Sequence, residues 1–304
     1  MIKCLIFSGG SFKGFSYIGA IKYIEENKLC EYITCYYGTS IGAITAVLLS
    51  IGYTSSELQY CISKLNFESL VDIKNINITD LFETFGFINP LKLYHLLDLL
   101  IEKKTKIKNI TFEQHFQKYH KRIVITGSNI SSLECHYFDY KTQPNLTILE
   151  ALKISSCIPF IFKPIIFMNN YFVDGALYDN YPILEASKYF KTNEMLGFHI
   201  IFDYNIASKV ETIEDYVKHF IFSFAISINK MPFVHFEKCT VPIIHKDISI
   251  LSIDQENINV IINLGYDSIK KYHENNPKIF HNIKIILNSL DYDKLKWLLK
   301  IYEL

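Results

Sequence analysis

Two short apolar stretches each run into a glycine-bearing turn and then into a helix-like segment. This repeated strand–turn–helix pattern confines the chain to an α/β fold. Cys4 to Phe7 leads into Ser8-Gly9-Gly10-Ser11-Phe12-Lys13-Gly14-Phe15, after which Tyr17, Ile18, Ile21 and Ile24 recur at helical spacing. Tyr32 to Tyr37 leads into Gly38-Thr39-Ser40-Ile41-Gly42, a G-x-S-x-G that opens a second helix-like run. Further strands are expected at Arg122–Gly127, His136–Tyr140, Tyr171–Asp174, Leu196–Phe202 and Val241–Ile244, where aromatic and β-branched residues concentrate. Helices are expected at Pro90–Lys104, Thr111–Tyr119, Pro182–Phe190, Ile213–Asn229, Gln255–Glu274 and Leu287–Tyr302. The alternation predicts an α/β fold with a largely parallel central sheet and helices on both faces, three layers in all. Leu65–Pro90 lacks clean periodicity and is expected to be an irregular insertion or lid.

The G-x-S-x-G carries the clearest chemistry. A serine hydroxyl is a poor nucleophile until a tight turn lifts it clear and a base takes its proton. Small residues are needed on both sides of such a turn, and Gly38 and Gly42 supply them. The helix that follows aims its first free N–H groups at the place where negative charge develops. The loop Gly9–Gly14 can expose further amides as an anion-binding nest. It lacks the G-K-[ST] of a nucleotide-phosphate loop. Asp174, at the end of a strand in Tyr171-Phe172-Val173-Asp174-Gly175-Ala176, is a candidate partner for Ser40. On its own Asp-Gly-Ala reads as a turn. Ser8 and Ser11 are rival hydroxyls outside any elbow, with hydrogen bonding inside the loop as their ordinary role. Lys13 fits fixing the loop, or meeting a head-group phosphate, better than acting as a base.

Taken in order, these three motifs resemble the patatin-like phospholipase family, whose pattern is G-G-G-x-[RK]-G, then G-x-S-x-G, then D-G-[AG]. Ala151-Leu152-Lys153-Ile154-Ser155-Ser156-Cys157-Ile158-Pro159-Phe160 resembles the family's A-x-x-A-S-x-A-x-P-x-x-F. Asp174 to Pro182 resembles its D-G-G-x-x-x-N-x-P, and Leu264-Gly265-Tyr266 its closing segment. The resemblance implies a patatin-like three-layer fold and a Ser-Asp dyad, with Ser40 as nucleophile and Asp174 as general base. It implies an oxyanion hole at Gly9, Gly10 and Ser11, with Lys13, Gly14, Gly38, Gly42, Gly175 and Ala176 in support. It implies no metal and no cofactor. Ser11 stands where the family has its third glycine, which is tolerable if the local φ is not strongly positive. The implied function is hydrolysis of glycerolipid acyl esters, of phospholipase A type. The alternatives are a neutral glyceride lipase, or a catalytically silent lipid-binding or scaffold protein that keeps the fold. The acyl hydrolase domain is expected over residues 1–275, with residues 276–304 as an appended helical extension.

Composition narrows the setting. Lysine plus arginine and aspartate plus glutamate number 31 each, so a nucleic-acid footprint is absent from the balance. The seven cysteines are scattered without C-x-x-C spacing and are expected to be reduced, in an intracellular, cytoplasmic protein that can be peripheral to membranes. Asn77, Asn109, Asn129 and Asn145 each begin an N-x-[ST] sequon, read as accidents of composition. The first strand is expected to leave no room for a targeting segment, and no apolar run reaches the ~18 residues of a membrane span. His219–Ile228 is read as a buried core helix, with an interfacial surface as its rival. His95, His115, His136 and His199 fall inside elements, where packing is the ordinary role of the ring. The expected partner is a glycerolipid at a membrane or lipid surface, with no nucleic acid and no transmembrane segment.

Overall fold

The structure is a computed structural model that describes residues 1–65, 85–88, 90–202, 209–212, 215–216, 219–220, 223, 235–246 and 255–277. Ten strands are defined among these residues: β1 (Cys4–Phe7), β2 (Cys35–Gly38), β3 (Gly86–Ile88), β4 (Arg122–Asn129), β5 (Glu134–Phe138), β6 (Phe160–Phe162), β7 (Ile165–Phe167), β8 (Asn170–Asp174), β9 (Met195–Phe202) and β10 (Thr240–His245). The helices are α1 (Ser16–Glu26), α2 (Ile41–Ser50), α3 (Ser55–Ser63), α4 (Leu91–Thr105), α5 (Phe112–Tyr119), α6 (Ile148–Ser155), α7 (Ile183–Ser187) and α8 (Gln255–Asn275).

Eight strands form one sheet in the order β10-β9-β1-β2-β4-β8-β7, with β5 paired to β4, and β3 and β6 form a separate pair. From β10 to β4 every pairing is parallel, as expected for strands joined through helices. At the other edge β5, β8 and β7 run antiparallel. Strands β7 and β8 are joined by a tight hairpin whose turn residues Met168 and Asn169 adopt φ 49° and 61°. The central strands are wholly buried: Cys4–Phe7 and Cys35–Gly38 expose nothing, as continuous apolar strands covered on both faces must.

The capping-box signature T-x-x-E/Q starts three of the helices. Thr54 with Glu57 opens α3, Thr111 with Gln114 opens α5, and Thr147 with Glu150 opens α6. On one face α1 and α8 cross closely. A Cβ on Gly19 would strike the Ile262 carbonyl oxygen, and one on Gly265 the Ser16 carbonyl oxygen, so both positions accept only glycine.

Several expectations are corrected. The helix after Pro182 stops at Ser187, where the Tyr189 and Phe190 N–H groups both return to the Ala186 carbonyl. The strand expected at His136–Tyr140 lies at Glu134–Phe138, since Asp139 accepts the N–H groups of Lys141 and Thr142 and turns the chain. Strands β6 and β7 were not anticipated, nor were the capped helices α3 and α6. Phe220 is 55% exposed and stacks loosely on the exposed Tyr216 ring, so the buried reading of His219–Ile228 does not hold at Phe220. Phe222, Phe224, most of Leu65–Pro90 and the helix expected at Leu287–Tyr302 lie outside the described residues.

Candidate active site

Parallel strands β1 and β2 end side by side, and each delivers a turn to the same edge of the sheet. At the end of β2 the chain reverses at Ser40, which takes φ 55° and ψ −124° before α2 begins at Ile41. This is a strained conformation for a side chain with a Cβ, of the kind that costs about 1–3 kcal/mol and is held only by its surroundings. Those surroundings are visible. The Ser40 N–H donates to Ser155 Oγ at 2.9 Å, and Ala43 N–H and Ile44 N–H return to the Ser40 carbonyl. A Cβ on Gly38 would fall on the Gly42 carbonyl oxygen, and one on Gly42 on the Phe7 carbonyl oxygen. The two glycines therefore permit the close approach that the elbow needs.

Asp174 ends β8 and meets the serine. Ser40 Oγ donates to Asp174 Oδ2 at 2.7 Å, and both side chains are buried, at 6% and 3% exposure. The other carboxylate oxygen accepts the Ala176 N–H at 2.9 Å, which fixes the plane of the group. Gly175 allows this turn to lie against β4, where a Cβ would crowd the Thr126 carbonyl. Burial pushes the Asp174 carboxyl up to about 7, opposed by its two hydrogen bonds. A carboxylate that titrates near neutrality is a far better proton acceptor than one at its ordinary value of about 4. Among the described residues no histidine is hydrogen-bonded to Ser40 or Asp174. His115 instead meets Ser50 Oγ at 3.0 Å, and His199 stacks on Tyr181.

The glycine loop leaves β1 as a short 3₁₀ turn, Ser11–Phe15. Ser8 anchors its start: Ser8 N–H donates to the Phe198 carbonyl, Ser8 Oγ donates to the Gly9 carbonyl and accepts the Ile200 N–H, and Tyr17 donates to the Ser8 carbonyl. Gly9 N–H donates to the Asn180 carbonyl at 3.0 Å, so in this geometry the Gly9 amide is not turned toward Ser40. Ser11 sits at φ 50°, in the left-handed region that the residue type disfavours, contrary to the condition set for it above. Lys13 is buried, and its carbonyl accepts Ser16 Oγ, which suits fixing the loop rather than meeting a head group. Gly14 lies against Ile41, tying the loop to the start of α2.

Sequence reasoning missed the residues that brace this arrangement. Ser155 Oγ holds the Ser40 amide. Thr39 Oγ1 donates to the Asp179 carbonyl, and Asp179 in turn accepts Tyr137 Oη and the Tyr181 N–H. One segment, Asp174 to Tyr181, thus touches the serine, the elbow and the glycine loop. Ser155 and Asn180 stood inside motifs that were recognised, but no signal marks which polar group of a motif faces the site.

Beside Ser40 opens a cleft of about 150 Å³. Its walls come from Ile44 and Leu48 of α2, Leu58 of α3, Leu97 of α4, Phe162 of β6 and Phe12 of the glycine loop, among others. Among the described residues no group of three or more His, Cys, Asp or Glu is placed to hold a metal ion.

Comparison with known proteins fits this geometry. The family model for patatin-like phospholipases matches residues 5–187. The chain belongs to the patatin-like phospholipase family. It is 35% identical over 191 residues to "Probable lipid hydrolase 463L" of Invertebrate iridescent virus 6, covering 62% of this chain and 64% of that one. It is 33% identical over 183 residues to the uncharacterized protein R571 of Acanthamoeba polyphaga mimivirus, covering 60% of each. The chain therefore spans less than two thirds of the length of these relatives. Its patatin-like fold is shared by VipD from Legionella pneumophila, with TM-score 0.63 and 16% identity over 90% of this chain and 67% of that one. ExoU of Pseudomonas aeruginosa, solved in complex with SpcU, shares it with TM-score 0.55 and 18% identity over 97% of this chain and 57% of the other. Among the described residues no helix is long and apolar enough to cross a membrane.

Proposed function

We propose that this patatin-like chain hydrolyses acyl esters of glycerolipids, with phospholipase A-type cleavage, through a Ser40–Asp174 dyad. The observation that carries the reading is the 2.7 Å hydrogen bond from Ser40 Oγ to a buried carboxylate at the mouth of an apolar cleft. Ser40 Oγ attacks the ester carbonyl as its proton passes to Asp174 Oδ2. The tetrahedral oxyanion is met by loop amides, for which Gly10 and Ser11 remain the candidates once Gly9 is paired with Asn180. Collapse expels the alcohol, which takes the proton back from Asp174. Water then attacks the acyl-serine, gives a proton to the same carboxylate and releases the fatty acid, while the second proton transfer restores Ser40. The free cysteines, four of them buried, and the absence of charge bias support an intracellular enzyme that visits a lipid surface rather than one that binds nucleic acid.

A fluorophosphonate probe tests the dyad directly. Labelling of Ser40 is expected, and it should vanish in Ser40→Ala. Hydrolysis of phosphatidylcholine in mixed micelles should fall by at least ~10³-fold in that variant. Turnover near the wild-type level, with contaminating esterase excluded, would refute the assignment.

A further inference from the structure

We infer that Tyr137 and Asp179 are positioning residues: together with Thr39 they strap the seam between β2 and β8, and so keep Ser40 in line with Asp174. This rests on the Ser40–Asp174 reading above and extends it to groups that touch no substrate. Three observations carry it.

The first is the seam. In the registers of β4, Ile125 lies between Gly38 and Phe138, and Gly127 lies between Asp174 and His136. Strand β5 therefore fills one edge of β4, and β2 and β8 share the other edge end to end. Gly38 closes β2 and Asp174 closes β8, facing Ile125 and Gly127 of the same strand. The two strands that deliver Ser40 and Asp174 are each paired with β4 and not with each other. No shared ladder fixes the spacing of the serine and the carboxylate, where a misplacement of about 1 Å can cost roughly 10²-fold in rate.

The second is what crosses the seam. Thr39 Oγ1, beside the elbow serine, donates to the Asp179 carbonyl at 2.9 Å. That carbonyl is aimed by the rest of its residue. The Asp179 N–H donates to the Gly175 carbonyl at 2.9 Å, and Asp179 Oδ1 accepts the Tyr181 N–H at 3.2 Å. Tyr137 stands on β5 opposite Thr126, level with the gap between Ile125 and Gly127. Its hydroxyl reaches across β4 and donates to Asp179 Oδ2 at 2.7 Å. Thr39, Asp179 and Tyr137 thus run as one chain of contacts from the elbow, over the seam, to the far edge of β4. Burial pushes the Asp179 carboxyl up to about 6, which leaves it mostly charged at neutral pH, and a charged acceptor makes the phenol bond a strong one.

The third is position. Thr39, Tyr137 and Asp179 do not line the cleft beside Ser40. Their effect on an ester must pass through Ser40 and Asp174, so it falls on the chemical step and not on binding.

The test is hydrolysis of 4-nitrophenyl butyrate, below its aggregation limit, by the full chain well below its melting temperature. Tyr137→Phe removes one oxygen and should lower kcat at least ~10-fold, with KM within about two-fold. The rate at which a fluorophosphonate probe labels Ser40 should fall by the same factor. Thr39→Val removes the other end of the strap and should do likewise. Both break one chain of contacts, so the double variant should be at most about three-fold slower than the slower single variant. A Tyr137→Phe variant that melts lower yet keeps the wild-type kcat and labelling rate would reveal a merely structural contact and overturn the inference. A raised KM at unchanged kcat overturns it too, as does a double variant whose loss is the product of the single losses. If Tyr137→Phe does not fold, Asp179→Asn is held to the same criteria, since its one acceptor oxygen cannot serve both the Tyr137 hydroxyl and the Tyr181 N–H. Hydrolysis that persists in Ser40→Ala would overturn the catalytic reading beneath it. Ser40-dependent hydrolysis that Tyr137→Phe leaves untouched would overturn only the strap.

Discussion

Ser40 and Asp174 lie 134 positions apart in sequence and 2.7 Å apart in space. Asp174→Asn keeps the shape and removes the basicity, so kcat should fall nearly as far as in Ser40→Ala, and the double variant should be little worse. A loss of only a few-fold would transfer the role of base elsewhere. The carboxyl pushed up to about 7 also sets the pH dependence. Activity should rise through pH ~7 as the base loses its proton, a limb that Asp174→Asn abolishes. Stability runs the other way. The folded state holds this proton more tightly than the unfolded chain, whose carboxyl titrates near ~4. The stabilising contribution is complete below pH ~4 and is lost as pH rises through about 7. Asp174→Asn should therefore melt higher than the wild type at pH 8 and no higher at pH 4, as thermal scans at the two pH values would reveal. Ser11→Gly should relieve the φ of 50° and raise stability by up to ~1 kcal/mol while kcat stays within a few-fold. A ten-fold fall in kcat would mean that the Ser11 hydroxyl itself touches the oxyanion. Ser40 and Asp174 were legible as candidates because motif and order both marked them. Ser155 and the Gly9–Asn180 pairing were not, since a hydroxyl or amide gives no hint in one dimension of the partner it meets.

At the scale of elements, glycine spacing reports how closely two helices pack. Gly265→Ala should push α8 away from Ser16 and lower Tm by several degrees, with activity falling too, because α1 continues directly from the glycine loop. A normal melting curve would show that the crossing is looser than described. Gly265 was noticed only as part of a resemblance; its reason is a carbonyl oxygen in a helix distant in sequence. The parallel strands were readable from their apolar runs. The antiparallel setting of β8 against β4 was not, because alternation looks alike in either direction, and the β7–β8 hairpin was hidden too, since its turn carries Met168, uncommon in left-handed geometry. The helices α3 and α6 were missed although Thr54/Glu57 and Thr147/Glu150 spelled their starts, since each is short, at nine and eight residues.

At the scale of the molecule, three layers and a mostly parallel sheet follow from strand–helix alternation, and the strand order does not, because it depends on which distant strands share an edge. That order has a bearing on autonomy. The stretch that defines the family ends at residue 187, yet β1, which carries the glycine loop, is flanked on one side by β9, residues Met195–Phe202. Phe7 stacks on Phe198, and that strand accepts the Ser8 N–H at the Phe198 carbonyl and gives the Ile200 N–H to the Ser8 hydroxyl. A chain cut after Ser187 keeps the glycine loop, the G-x-S-x-G and the Asp-Gly-Ala, and loses the strand beside β1. Its open edge is apolar and ready to pair with another copy. Such a fragment should be insoluble or oligomeric by light scattering, and inert toward fluorophosphonate despite its intact Ser40 and Asp174. The stretch that marks the family thus stops short of the strand on which its own glycine loop leans.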